Sequence, residues 1–408
     1  MNKKNNKSIL LIMPYGSVGG MERLALNFYE YYKELGYVIK ALKFIKLSTD
    51  IIHFGEDELF FSERDLYEMT GKERGLFYLN TPFKIRKLIK QYKITHSIAF
   101  GDMANFFSSL SFTNEFKIGS IHALKSVELK NTTFFNKITK IGYRSSYKYL
   151  DKLVCISKAI KEDLKINCGY KFSNLEIIYN PHNIKDIVSL SKELITDKNE
   201  IEIFSKKTIL FLGRLSIQKS PWHLIKAFSI VKEKYPDINL VLIGDGDIQV
   251  TNFIKELISD LELNNQVFLL GRKSNPYKYI AASNVLALSS NYEGTPNVIV
   301  ESIAVGTPIV SSYCTKGIIE LMSTEDHKET DKNISTESGV VTPNLFKGVL
   351  EIPKSKKLIK EERDFADALS LVLMDDSYKN NLKTSRSKLL SKFDLNAVAN
   401  EYLQPMKN

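Results

Sequence analysis

The sequence predicts an α/β protein of two doubly wound domains facing one another across a cleft, and three observations carry that expectation. The 408 residues exceed what one ordinary core holds and suit two domains of roughly 200 residues each. Short apolar runs alternate with amphipathic stretches along the chain, the pattern of parallel strands covered by helices on both faces. The rhythm breaks over the polar stretch Ile187–Phe204, where the interdomain linker is expected, and then starts again.

In the first half, Ser8–Met13 reads as a buried strand and Met21–Leu35 as the helix after it, with Leu24, Leu26, Phe28, Tyr31 and Leu35 at apolar positions. Tyr37–Phe44, Ser97–Phe100, Phe116–Ile121 and Lys152–Ile156 are further strands, and Lys158–Leu164 is a helix. In the second half, strands are expected at Lys207–Leu212, Asn239–Ile243, Val267–Leu270, Val285–Leu288 and Pro308–Ser311. The helices between them fall at Trp222–Lys234, Val250–Asp260, Tyr277–Ala282 and Asn297–Val305, and the charged stretch Ser323–Ser338 reads as a surface loop.

Composition narrows the function classes. The three cysteines, Cys155, Cys168 and Cys314, are scattered without a CxxC pair, which fits a reducing compartment and argues against a disulfide frame or structural zinc. No apolar run approaches the roughly 18–20 residues of a membrane span. The basic start Met1–Lys7 precedes an apolar run that ends at Pro14, shorter than a signal core of about 7–15 residues, so a first strand in a soluble, cytoplasmic protein is the expectation. Of the net charge of +10, residues 1–185 hold 29 Lys+Arg against 18 Asp+Glu, and residues 186–408 hold 28 against 29. The halves therefore face different partners.

Four segments at strand ends in the second half carry chemistry. Gly213, Arg214 and Leu215, with Lys219 four residues beyond Leu215, follow a strand; a planar guanidinium and a point-charge ammonium there suit a diphosphate, the plain alternative being a solvated loop. Gly244, Asp245, Gly246 and Asp247 follow the next strand, where glycines allow a tight turn close to a nucleotide. A metal-binding reading of that Asp-Gly-Asp is disfavoured, since a divalent ion wants several oxygen ligands and no other acidic residue stands near in sequence. Glu293, Gly294, Thr295, Pro296 and Asn297 lead into a helix holding Glu301. Pro296 suits the first helical turn, whose free N–H groups form an anion site. A carboxylate in the apolar run Val298–Val305 needs a partner. Val305, Gly306, Thr307 and Pro308 form a helix stop.

Together these segments resemble the family-4 retaining glycosyltransferases of the GT-B fold. Glu293 and Glu301 match that family's E-x7-E element, and the G-R-L…K loop and I-G-D-G turn match in order and spacing. The resemblance implies a donor pocket in the second domain: Arg214 and Lys219 on the diphosphate, Glu301 on the ribose, and Glu293 with the following amides on sugar and phosphate. It implies UDP as the favoured nucleotide, no metal and no other cofactor, because cations and a helix dipole stabilise the leaving group. It places an acceptor-side domain at 1–185, a nucleotide-sugar domain at 186–390, and a terminal segment at 391–408 that crosses back onto the first domain.

In the first half, Gly19, Gly20, Glu22 and Arg23 match the family's G-G-x-E-R loop, the two glycines on the donor side and Glu22 and Arg23 on the acceptor side, while His122 after Phe116–Ile121 matches its histidine beside the transferring sugar. Val154–Ser157 with Lys158, and Tyr179, Asn180 and Pro181, resemble its hinge segments, with Pro181 in place of glycine; Cys314 to Gly317 departs from its C-P-x-G-P turn. Two basic segments, Phe83–Lys93 (Lys84, Lys87, Lys90) and Phe134–Tyr149 (Lys137, Lys140, Arg144, Lys148, with Phe134, Phe135, Tyr143 and Tyr147 interleaved), suit an anionic membrane surface better than nucleic acid, for which no binding module is present. The expected activity is transfer of a hexose or N-acetylhexosamine to a glycan or lipid-linked acceptor in surface-polysaccharide assembly, at the inner face of the cell membrane. A nucleotide-sugar epimerase or phosphorylase, a non-catalytic scaffold subunit, and more distantly a nicotinamide oxidoreductase are the competing readings.

Overall fold

The computed structural model describes residues 7–16, 20–128 and 134–406, the side chains of 127, 128 and 134–138 excepted. The chain divides into two compact units, Met1–Pro181 with Leu395–Asn408, and His182–Asp394. The crossings thus fall at 181/182 and 394/395, where the sequence reading has 185/186 and 390/391.

The first unit holds strands β1 (Ser8–Met13), β2 (Val38–Ile45), β3 (Glu58–Ser62), β4 (His96–Phe100), β5 (Phe116–Ile121), β6 (Lys152–Cys155) and β7 (Leu175–Ile177). The second holds β8 (Lys207–Leu212), β9 (Ile238–Ile243), β10 (Val267–Leu269), β11 (Val285–Leu288), β12 (Ile309–Ser312), β13 (Ile334–Thr336) and β14 (Gly339–Thr342). Their orders are β3-β2-β1-β4-β5-β6-β7 and β10-β9-β8-β11-β12-β14-β13. Among the described residues only β13 pairs antiparallel, with β14. Every residue of β1, β9, β11 and β12 is buried, as central parallel strands covered on both faces must be. Among the parallel strands each order reverses once, between β1 and β4 and between β8 and β11, and ligands of open α/β sheets bind outside the carboxyl ends of strands at such a reversal.

The linker expected over Ile187–Phe204 is corrected: two short helices, Ile184–Leu190 and Lys198–Ser205, lie there in the second unit. Asn183 accepts the N–H of Asp186, and Asp197 those of Asn199 and Glu200, so polar caps start both helices where apolar periodicity is too short to show. The expected loop Ser323–Ser338 contains β13. The basic segment Phe83–Lys93 belongs largely to a longer helix, Gly71–Gln91, started by a Thr70–Glu73 capping box and running through Pro82.

The helix Leu395–Tyr402 lies in the core of the first unit, with Phe28, Tyr32 and Val154 in one buried cluster. Tyr32 donates its hydroxyl to the Ala399 carbonyl at 2.7 Å, Lys152 donates to that of Glu401 at 2.9 Å, and the Phe28 and Tyr402 rings meet edge-on with centroids 4.8 Å apart. The Tyr402 hydroxyl is buried with no hydrogen-bond partner among the described residues. Tyr402→Phe removes that desolvated group and keeps the ring, so it is expected to raise unfolding stability by about 1 kcal/mol in denaturant titration.

Candidate functional site

The carboxyl ends of β8 and β11, on either side of the reversal in the second sheet, are stitched together. Ser220 Oγ donates to the Ser289 carbonyl at 2.6 Å, and Ser289 Oγ returns to the carbonyls of Lys219 and Ser220 at 3.2 and 3.1 Å. Asn291 donates its N–H to the Gln218 carbonyl and its side chain to that of Ile217, both at 2.8 Å. Ser220 sits in the left-handed region at φ 38°, a local cost held by this network. The result brings Lys219 and Glu293 together: Lys219 Nζ lies 2.5 Å from Glu293 Oε1. Ser290 Oγ donates to the same oxygen at 2.7 Å, and Gln218 Nε2 approaches Oε2 at 3.5 Å. Gln218, Ser289, Ser290 and Asn291 carry no motif, and sequence reasoning missed them.

Arg214 is exposed in the same loop and pairs with no acidic side chain among the described residues. The loop holding it is fixed from the other side. Gly213 N–H donates to the Ile243 carbonyl at 3.0 Å, Leu215 N–H to Asp245 at 2.9 Å, and Asp247 N–H to Leu215 at 2.8 Å. A Cβ on Gly244 (φ +142°) would fall 2.0 Å from the Gly213 oxygen, and one on Gly246 2.3 Å from that of Leu215. The two glycines are therefore demanded by this backbone approach. Asp245 is exposed, while Asp247 caps the helix Ile248–Asp260 through the N–H groups of Gln249 and Val250. Among the described residues no group of three or more His, Cys, Asp or Glu is placed to hold a metal ion.

The helix Asn297–Val305 has the bounds expected from the sequence. Pro296 is its N-cap, at φ −67° and ψ 114°, and no side chain caps it. An uncapped helix start keeps amide donors for an anion. Thr295 Oγ1 is buried beside it with no partner among the described residues, a polar atom that ordinarily finds one. Gly294 is pressed by Gly317, whose Cβ would lie 2.5 Å from the Gly294 oxygen, so the turn after β12 buttresses this loop. Glu301 is half-buried midway along the helix, among apolar neighbours that are buried. Burial and then the Glu293 carboxylate push the Cys314 thiol well above its usual range.

In the first unit, Gly20 opens the helix Gly20–Glu34, Glu22 is buried and Arg23 exposed; Gly19 lies outside the described residues. The backbone entering that loop is anchored at Gly16, whose N–H donates to Asp50 at 3.1 Å. Asp50 and Glu58 both pair at 3.1 Å with the fully buried Lys43. His122, after β5, has Nε2 at 2.8 Å from Ser120 Oγ, and Nδ1 is enclosed without a partner among the described residues. Burial, and then the nearby Lys125 ammonium, push its pKa down to about 3, so the imidazole is neutral near physiological pH. Lys125 pairs with Asp102 at 2.9 Å, and Tyr143 donates to Asp102 at 2.6 Å, a cluster the sequence did not announce. Ser157 caps the helix Lys158–Ile166.

The basic surface differs from its expected form. Tyr143 and Tyr147, expected among the lysines of an exposed helix, are fully buried, because an aromatic at core-facing spacing packs inward. The side chains of Phe134, Phe135 and Lys137 lie outside the described residues. Lys140, Ile141, Arg144, Lys148 and Tyr149 are exposed. On the helix Gly71–Gln91 the exposed residues include Lys72, Leu76, Leu79, Phe83, Lys84, Lys87 and Lys90. Arg86 of this helix donates to the Ser111 carbonyl at 2.7 Å, and the adjoining exposed Phe112 meets Tyr149 edge-on at 5.3 Å, which joins the two segments into one face.

Two parallel-sheet Rossmann-like domains in series make this a protein of the GT-B fold class. HepE from Anabaena, crystallised in complex with UDP and glucose, shares that fold at a TM-score of 0.68 and 17% identity, over 97% of this chain and 98% of its own. Residues 18–186 match the family described as Glycosyltransferase Family 4, and residues 192–333 the family described as Glycosyl transferases group 1. The chain is a glycosyltransferase of the GT-B type, with a family-4 domain followed by a group 1 domain. An uncharacterized glycosyltransferase of Methanocaldococcus jannaschii is 28% identical over 340 residues, 79% of this chain and 82% of that protein. The N-acetylgalactosamine-N,N'-diacetylbacillosaminyl-diphospho-undecaprenol 4-alpha-N-acetylgalactosaminyltransferase of Campylobacter jejuni is 28% identical over 334 residues, 80% of this chain and 82% of that protein.

Proposed function

We propose that the chain is a retaining, metal-independent glycosyltransferase that moves a hexose or N-acetylhexosamine from a UDP-sugar to a glycan or lipid-linked acceptor in surface-polysaccharide assembly. The observation that carries the reading is the convergence in one unit of Lys219, Glu293 and the uncapped start of Asn297–Val305 at the sheet reversal. A solvated loop has no reason to bury that pair. The diphosphate binds Lys219, Arg214 and the helix start. Glu301 takes the ribose diol and Glu293 the sugar hydroxyls. The anomeric C–O bond to the diphosphate breaks and the acceptor oxygen bonds to the same face. The acceptor proton passes to the departing phosphate, whose charge the two cations offset. The names of the HepE complex and of the Campylobacter relative support UDP and a diphospho-undecaprenol acceptor.

The test is incubation with a panel of UDP-sugars and a diphospho-undecaprenol glycan, the product read by mass and by the anomeric coupling in its NMR spectrum. A product of retained configuration formed in chelator supports the reading; inversion, or turnover only with added divalent ion, removes it.

The face formed by Leu76, Leu79, Phe83, Phe112 and Tyr149 among Lys72, Lys84, Lys87, Lys90, Lys140, Arg144 and Lys148 supports the anionic-membrane part of the proposal. Leu76, Leu79 and Phe83 are 60%, 70% and 63% exposed, and Glu73, paired with Arg64, is the sole acidic residue of that helix. Apolar anchors ringed by cations suit a lipid surface, each cation adding about 1 kcal/mol near anionic headgroups. No helix among the described residues is long and apolar enough to cross a membrane; the attachment proposed for this face is peripheral. The triple variant Leu76→Ser, Leu79→Ser, Phe83→Ser is expected to lose most flotation with phosphatidylglycerol vesicles and to keep its melting temperature. Unchanged flotation removes this face from the proposal.

A further inference from the structure

We infer that Glu293 and the donor phosphate compete for Lys219, and that this competition makes the site prefer a sugar-bearing donor to the bare nucleoside diphosphate. The inference rests on the proposed diphosphate role of Lys219. Lys219 Nζ is 2.5 Å from Glu293 Oε1, and the carboxylate is buried at 7% exposure. Its remaining close donors are Ser290 Oγ at 2.7 Å and Gln218 Nε2 at 3.5 Å, both neutral. A buried carboxylate that loses its cation is left uncompensated, and that is costly.

A phosphate drawing Lys219 away therefore pulls against Glu293. The outcome depends on what else the ligand brings. A sugar on the diphosphate presents hydroxyl donors to the released carboxylate and restores its hydrogen bonding. UDP alone presents none, so it binds against the full cost of parting the pair. After transfer, the sugar has left with the acceptor, Glu293 recaptures Lys219, and the diphosphate is expelled. Glu293 thus sets specificity twice: it favours the intact donor on entry and speeds the exit of the product.

Calorimetric titration of the full chain with UDP and with each UDP-sugar of the panel tests this in wild type, Glu293→Gln, Lys219→Met and the double variant. Wild type is expected to bind its best UDP-sugar about fivefold or more tighter than UDP. In Glu293→Gln, UDP tightens by about fivefold while the UDP-sugar does not, so the preference disappears even as turnover falls. In the Lys219→Met background the Glu293→Gln change no longer alters UDP affinity, the mark of direct coupling. Should Glu293→Gln unfold, Glu293→Asp, which keeps the charge and shortens its reach, is expected to tighten UDP in the same direction. UDP binding no tighter in either variant, with donor binding intact in wild type, overturns the inference and leaves the proposed function standing. Binding of neither UDP nor any UDP-sugar to wild type overturns the proposed function as well.

Discussion

Lys219→Ala is expected to lower kcat/KM about a hundredfold or more, with kcat falling by most of that factor. The lysine is placed to meet charge that grows as the glycosidic bond to the diphosphate breaks, so its stabilisation is larger in the transition state than in the bound donor. Burial sharpens the effect. The Lys219 side chain is 18% exposed and its partner Glu293 7%, a setting where a charge acts through less water than on a surface. Arg214 is exposed, so Arg214→Ala is expected to raise the donor KM more than it lowers kcat. Steady-state kinetics of both variants separate the roles, and wild-type kcat in Lys219→Ala excludes the lysine from the chemistry.

Gly246→Ala carries the second large effect, on stability and donor affinity together. Its Cβ would sit 2.3 Å from the Leu215 carbonyl oxygen and 2.8 Å from the Leu215 nitrogen. Both are backbone atoms, with no rotamer to swing aside. The Leu215 bonds to Asp245 and Asp247, at 2.9 and 2.8 Å, must lengthen or break, and the loop that displays Arg214 moves with them. A loss of about 2–4 kcal/mol in unfolding free energy is expected, with a weakened response to UDP in thermal-shift measurements. Gly271→Ala is the control. Gly271 has a positive φ, +63°, and meets no atom within 4 Å, so its substitution is expected to cost only about 1 kcal/mol and to leave UDP binding alone. A loss in Gly246→Ala no larger than that in Gly271→Ala would show that the close approach of the two loops does not set the requirement for glycine at 246.

What was legible in the sequence follows from how local its physical cause is. The buried strands announced themselves because β1, β9, β11 and β12 are covered on both faces and so are mostly apolar, with Ser8, Asn239, Ser311 and Ser312 as their polar members. The turn glycines and Pro296 were legible because their backbone demands are specific, and the helix after Pro296 has the expected bounds, Asn297–Val305. The half-buried edge strand β3 was missed, since its pattern starts with Glu58 and alternates weakly. The helix Gly71–Gln91 was legible only beyond Pro82, although its Thr70–Glu73 capping box was a signal available to be read. Ser289, Ser290, Asn291 and Gln218 could not be found from sequence. Their role lies in which loop they meet across the sheet, and serine or asparagine at a strand end has many other uses. Tyr143 and Tyr147 were taken for a surface because lysines surround them in sequence; the fold points the lysines out and the tyrosines in.

A crystal structure of the full chain with UDP bound, grown with magnesium present, tests the proposed site most directly. The expected result is the diphosphate within hydrogen-bonding distance of Arg214, Lys219 and the amides at the start of the helix Asn297–Val305, with Glu293 no longer paired to Lys219. A diphosphate held instead by an ion on Asp245 and Asp247, or seated away from Lys219, would contradict it.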